Sequence, residues 1–285
     1  MNARARVCAV SYANSTPLIW GLLNGPQRGM FDLELALPSA CADRLRAGAA
    51  DIGLVPLVEL AREPGLKVVP RICVGCKGRV RSILLVSKKP FADVESIAGD
   101  TGSRTSVVLA QVLAAHLHGT RPHVLPHPPD IDEMLALADA ALVIGDAALQ
   151  IDPSMDSWRG IPIHVYDMGL AWQEMTGLPM VFAVWAAGPL PPGLRGQDVV
   201  LALQGSAAFG LRHIEDVVAH ESSRQGLARA MVREYLTRNV RFGLRNAERE
   251  GMLLYLKLAA DLGLTDEPGE LRYLPQAQAT IGGTT

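Results

Sequence analysis

The chain has 285 residues, 49% of them hydrophobic and 5% aromatic, with a net charge of −2. That length supports a large buried core spread over two lobes, while the near-neutral charge and scarce aromatic rings exclude the basic, stacking surface that nucleic-acid binding uses. The longest apolar stretch, around "LPMVFAVWAAGPLPPGL", is broken too soon by glycine and prolines to span a membrane, and "MNARARVCAV" lacks the apolar segment and cleavage site of a secretory signal, so a cytoplasmic protein acting on a small molecule is expected.

In chain order, "RVCAVSY" predicts a first strand, "TPLIWGLL" a helix, "FDLELALPS" a strand, "ACADRLRAGA" a helix and "ADIGLVPL" another strand. This repeated unit predicts an α/β architecture with largely parallel sheets, in which ligands bind where strand ends meet helix starts. From residue 68 to 87 the pattern becomes extended and is broken by "GCKGR", which predicts antiparallel strands leaving the first lobe. Cys73 and Cys76 form a CxxC there, but Cys8 and Cys41 supply no second pair at zinc-ribbon spacing. A redox pair belongs where a strand meets a helix, so buried thiols are expected instead.

"SIAGDTGSRTSVVLAQVLAAHLHG" predicts a strand, a turn and a helix. The turn is rich in glycine and hydroxyls, and an exposed helix start there offers unpaired N–H groups and partial positive charge to a carboxylate or phosphate. It has neither the lysine of a phosphate-binding loop nor the three glycines of a dinucleotide fingerprint. An ordinary N-cap by Ser103 or Thr105 is the alternative. The histidines of "HLHGTRPHVLPHP" are irregularly spaced among prolines and predict a loop cluster rather than a metal site. "DIDEMLALADAALVIGDAAL" predicts a helix and then a strand, and "LPMVFAVWAA" a strand passing back to the first lobe. The remainder has mostly helical spacing, and the last dozen residues form a loosely held tail. The lobes are therefore expected at residues 1–86, 87–180 and 181–285, the third segment returning to the first lobe. Two crossings make a cleft that closes by hinge motion around a ligand.

Taken in order along nearly the whole chain, "VSYANSTPLIWGL", "LPSACADRLRAGAADIGLVPLVELAR", "GRVRSILLVSK", "DTGSRTSV", "ADAALVIGDAAL", "YDMGLAWQEMTGLPMVFAVWA" and "YLTRNVRFGL" resemble the chorismate dehydratase family of the futalosine route to menaquinone, the MqnA family. The resemblance implies a two-lobed type II periplasmic-binding-protein-like fold. It also implies loss of water from chorismate, giving 3-[(1-carboxyvinyl)oxy]benzoate, with no metal or organic cofactor. It puts Asn14 on the family's asparagine in the first strand–helix turn, although Ala13 replaces a larger apolar residue and Ser15-Thr16 the usual threonine-arginine. Ser82 falls on a serine at the lobe crossing, Thr105 and Ser106 on a carboxylate-binding turn, and Gly145 and Asp146 on a glycine-aspartate pair; Cys76 stands where serine is more usual.

The catalytic set expected from the resemblance is Asn14 and Ser82, and the substrate-binding set is Ser39, Ser103, Thr105, Ser106, Gly145 and Asp146. Each has a plainer reading: Asn14 as a turn residue, Ser82 as a core serine, Asp146 as a strand-end aspartate capping the next helix. No histidine or glutamate of these motifs is expected at the ligand, so the substrate's own enolpyruvyl carboxylate is the expected base. The alternatives are the related 1,4-dihydroxy-6-naphthoate synthase and a non-catalytic cytosolic protein that binds small carboxylates. No oligomeric state is predicted.

Overall fold

The computed structural model of the chain describes residues 4–276. Strand β1 (Arg6–Val10), helix α1 (Thr16–Asn24), β2 (Asp32–Ala36), α2 (Pro38–Arg46) and β3 (Ile52–Pro56) build the expected repeat. β2 and β3 both run parallel to β1. Proline in the first turn starts both α1 and α2, where its missing N–H costs nothing. The short α3 (Glu59–Arg62) leads into β4 (Lys67–Cys76), and the chain then crosses to a second sheet.

That sheet comprises β5 (Ile83–Ser87), β6 (Ser96–Asp100), β7 (His123–His127) and β8 (Ala140–Ile144), with α4 (Thr105–Leu113), α5 (Ile131–Leu137) and α6 (Gly145–Leu149) between and after them. A small hairpin, β9 (Ser157–Trp158) and β10 (Ile161–Pro162), precedes β11 (His164–Asp167) and α7 (Met168–Thr176). The order is β11-β5-β8-β6-β7, with β6 parallel to β7 and β8, and β5 antiparallel to both of its neighbours. β5 therefore pairs wholly within the second sheet, whereas the expected boundary cut it after residue 86. The chain returns as β12 (Met180–Ala187), which inserts antiparallel between β3 and β4. Strands β3, β5 and β8 are buried at every position, which explains their unbroken apolar sequences.

The C-terminal part contains α8 (Gly196–Arg212), α9 (Ile214–Gln225), α10 (Arg229–Glu234) and α11 (Asn246–Asp261). It is mostly helical, as its spacing predicts, with one strand that the spacing did not show: β13 (Val240–Leu244) pairs with β4, and Val240, Phe242 and Leu244 are buried in alternation, a period of two set inside longer helical spacing. The first sheet thus runs β13-β4-β12-β3-β1-β2. The expected loose tail lies mostly outside the described residues; ahead of it β14 (Arg272–Tyr273) pairs with β4, and Leu274 is buried with its N–H on the Val68 carbonyl. The histidines also differ from expectation, since His116 and His118 sit in a wide helical turn after α4 and His123 and His127 in β7.

α1 and α8 cross closely because Gly210 has no side chain: a Cβ there would lie 2.1 Å from the Pro17 carbonyl oxygen. α11 packs on β12 and β13 of the first sheet and reaches α4 of the second lobe, and its Tyr255 ring meets Trp172 of α7 edge-on at 6.2 Å. One apolar core consequently runs through both lobes, from Val55, Cys73 and Phe182 to Leu85, Leu109 and Trp172. Burial pushes the Cys73 and Cys76 thiols up, away from the reactive thiolate. Among the described residues no group of three or more His, Cys, Asp or Glu is placed to hold a metal ion, and no helix is long and apolar enough to cross a membrane.

Candidate functional site

The lobes meet over a narrow, largely apolar cleft of about 470 Å³, counting its mouth open to solvent. The loop after β1 contributes Tyr12 and Asn14, the turn after β6 contributes Ser103 to Ser106, and the turn after β8 contributes Gly145. All three lie where a parallel strand ends and a helix starts, the edge at which open α/β sheets bind ligands. Pro38, rather than its neighbour Ser39, reaches the cleft from α2; Ser39 joins the lobes through its backbone N–H, 3.3 Å from the Gly102 carbonyl.

At the turn after β6, Arg104 occupies the N-cap position and makes no side-chain cap, so neither Ser103 nor Thr105 plays the capping role. Thr105 and Ser106 are buried rather than exposed. The Thr105 hydroxyl accepts the Val58 N–H at 3.3 Å, across the cleft, and its carbonyl accepts the Tyr255 phenol at 2.9 Å. The backbone N–H groups of Thr105, Ser106 and Val107 have no acceptor among the described residues. They form an anion seat at the start of a nine-residue helix. Beside it Asp100 is buried, with Oδ1 taking the Gly102 N–H at 2.7 Å and Oδ2 unpartnered; desolvation pushes its pKa up. Arg104 bridges to the first lobe through Asp43 at 2.7 Å and Glu59 at 3.3 Å.

The turn after β8 is committed. Ile144, not Asp146, is the N-cap of α6. Asp146 instead reaches across to the first lobe, where Oδ1 accepts the Ala13 N–H and Oδ2 the Arg224 guanidinium, both at 2.9 Å. Arg224 also grips buried Glu221, whose other oxygen accepts the Thr16 hydroxyl at 2.7 Å. Gly145 has φ +62°, and a Cβ there would stand 2.6 Å from the Tyr12 ring; glycine is required on both counts.

Ser82 lies behind Ile83, fully buried at the crossing, and is not part of the cleft wall. Its hydroxyl pairs with the Tyr235 phenol at 2.8 Å, and the Asn14 amide adjoins the same phenol. Burial pushes the Tyr235 pKa up and keeps it a neutral donor. The structure therefore brings Asn14 and Ser82 together through a third residue. The first crossing segment is tied to the second lobe by Asp167, whose carboxylate caps α7 and also accepts the N–H groups of Val80 at 3.0 Å and Arg81 at 2.7 Å. Arg81 has φ +69° and anchors its guanidinium on the carbonyls of Ala148 and Leu149.

Tyr12, Tyr235 and Arg224 are the residues that motif reading missed. Tyr12 and Tyr235 lie within the resembling stretches, but their partners are remote in sequence: Ser82 is 153 residues from Tyr235. Arg224 belongs to no such stretch.

The profile of a family described as menaquinone biosynthesis matches residues 5–261. A chorismate dehydratase of Thermus thermophilus is 29% identical over 272 residues, covering 90% of this chain and 94% of that protein. Among solved structures, a protein of Archaeoglobus fulgidus aligns with a TM-score of 0.71 at 16% identity, over 92% of this chain and 98% of its own. The periplasmic aliphatic sulphonate binding protein of Escherichia coli aligns with a TM-score of 0.59 at 16% identity, over 100% and 98%. The fold is that of the periplasmic binding proteins.

Proposed function

The chain belongs to the menaquinone-biosynthesis family, and on that premise we propose that it is a chorismate dehydratase, a hydro-lyase of the cytoplasm that needs no cofactor and converts chorismate to 3-[(1-carboxyvinyl)oxy]benzoate. The observation that carries the reading is the set of N–H groups of Thr105, Ser106 and Val107, without a protein acceptor among the described residues, in a narrow apolar cleft that Asn14 also lines. Chorismate has two carboxylates, one on the ring and one on the enolpyruvyl arm. Backbone N–H groups and a hydroxyl hold one of them by charge-assisted hydrogen bonds, which strengthen in a dry site.

The ring proton beside the ether is acidified through conjugation with the ring carboxylate, and loss of the neighbouring hydroxyl makes the ring aromatic. Orientation and a base remain to be supplied, worth about 100- to 10,000-fold for the base alone. Asp146 is poorly suited to that task because both its oxygens are engaged, one by Ala13 and one by Arg224. The arm carboxylate of the substrate takes the proton, oriented by Asn14, which Tyr235 and Ser82 buttress from behind.

The experiment is incubation of the purified protein with chorismate, followed by chromatography. Appearance of the substituted benzoate supports the reading; recovery of chorismate that has bound but not reacted overturns it in favour of a binding protein.

A further inference from the structure

Five tyrosines occur in the chain, and four have a partner in the fold. Tyr166 accepts the Phe91 N–H, Tyr235 pairs with Ser82, Tyr255 donates to the Thr105 carbonyl, and Tyr273 carries the Arg249 guanidinium on its ring. Tyr12 differs. Its ring lies against Gly145, and its Oη stands 3.2 Å from where a Cβ on Gly102 would be. The side chain thus spans from the committed turn to the turn that carries the anion seat, and it lines the cleft with Asn14 and Thr105. Its backbone is pinned, since the Tyr12 carbonyl accepts both the N–H and the hydroxyl of buried Ser15. Among the described residues its phenol makes no hydrogen bond.

A half-buried phenol held at a fixed place in a cleft, with its proton uncommitted, is suited to the one requirement of the dehydration that the arm carboxylate does not meet. Hydroxide is a poor leaving group, because water has a pKa of about 15.7, and in a narrow apolar cleft no bulk solvent protonates it. We propose that Tyr12 is a catalytic residue, its phenol giving the ring hydroxyl the proton with which it departs as water; the proposal rests on the chorismate dehydratase reading.

The step balances. The arm carboxylate takes the ring proton, the electrons of that C–H bond become the new ring double bond, and the C–O bond breaks with its pair on oxygen. That oxygen takes the Tyr12 proton and leaves as water. The arm, now a carboxylic acid, returns its proton through this water to the phenolate, so enzyme and product both end in their starting protonation states. Burial, with Asp100 and Asp146 nearby, pushes the Tyr12 pKa up, which keeps the phenol protonated before the step.

Tyr12→Phe keeps the ring against Gly145 and removes only the donor. Single-turnover product formation at saturating chorismate is expected to fall by about 100- to 10,000-fold, while the dissociation constant for the benzoate product and the melting temperature stay close to wild type. Fluorotyrosine at position 12, still a donor, is expected to restore turnover. A Tyr12→Phe rate within a few-fold of wild type overturns the proposal, as does a defect confined to product and substrate affinity, which would make Tyr12 a carboxylate holder. If fluorotyrosine fails to restore the rate in a folded protein, the donor role is likewise excluded. Wild-type protein that leaves chorismate unconsumed defeats the dehydratase reading itself, a separate outcome.

Discussion

The turns after β6 and β8 are neighbours in one sheet, and each opens a helix toward the same cleft, yet they are used in opposite ways. In the first, the N–H groups of Thr105, Ser106 and Val107 have no acceptor among the described residues. The second spends its groups on the other lobe: Gly145 receives the Tyr12 ring, and Asp146 holds Ala13 and Arg224. Asp100 stands between them, bonded to Gly102 in one turn and adjoining the Ile144 N–H of the other. The difference teaches that a glycine or hydroxyl at a helix start marks a place for close approach, and only the surrounding partners decide whether a ligand or the opposite lobe approaches.

Among substitutions in these two turns, the largest effect is expected from Gly145→Ala. A left-handed backbone costs an L-residue roughly 1–2 kcal/mol, and the new Cβ would displace the Tyr12 ring from 2.6 Å. Turnover should fall about 100-fold, the cost of misplacing a reacting group by about an ångström, and the melting temperature should drop with it. Full activity would mean that the two lobes do not need this contact.

Thr105→Val tests the open turn. Loss of one charge-assisted hydrogen bond is worth about 1.5–3 kcal/mol, so the dissociation constant for chorismate measured in rapid mixing should rise roughly tenfold or more. Because the hydroxyl also accepts from Val58, the melting temperature should fall modestly. A melting shift without any change in affinity would make this turn as structural as its neighbour.

The smallest change is expected from Asp146→Asn. Its amide oxygen can still accept the Ala13 N–H, and the lost ion pair involves Arg224, whose side chain is 38% exposed, so the stability cost should stay within about 1 kcal/mol. Turnover should remain within a few-fold of wild type. Collapse of single-turnover chemistry with binding intact would transfer the base role to Asp146.

The alternating strands and helices were legible because each rests on local periodicity, and buried strands such as β8 advertise themselves by unbroken apolar sequence. β13 was hidden because five residues of period two sit between longer helical patterns, with their pairing partner far upstream in β4. At the site, Thr105 and Ser106 were readable from a turn that any helix start would make anion-friendly. The readings of Asp146 as a cap and of Thr105 as exposed failed for one reason: both side chains answer to the opposite lobe, at Ala13, Arg224 and Val58, and contacts across a cleft leave no spacing in the chain. Tyr235 behind Asn14 and Ser82 was invisible on the same ground.

Asp167 carries a mechanical consequence. One buried carboxylate gathers N–H groups from the first connector, Val80 and Arg81, and from the start of α7, Gly169 and Leu170, so this connector is clamped to the second lobe as a pivot rather than sliding independently of it. Displacement grows with distance from a pivot. Ser82, next to it, keeps its place as the jaws part, whereas the clasp between Arg104 and Asp43 travels with the jaws, and added salt, which weakens that exposed pair, should ease the door without loosening the hinge.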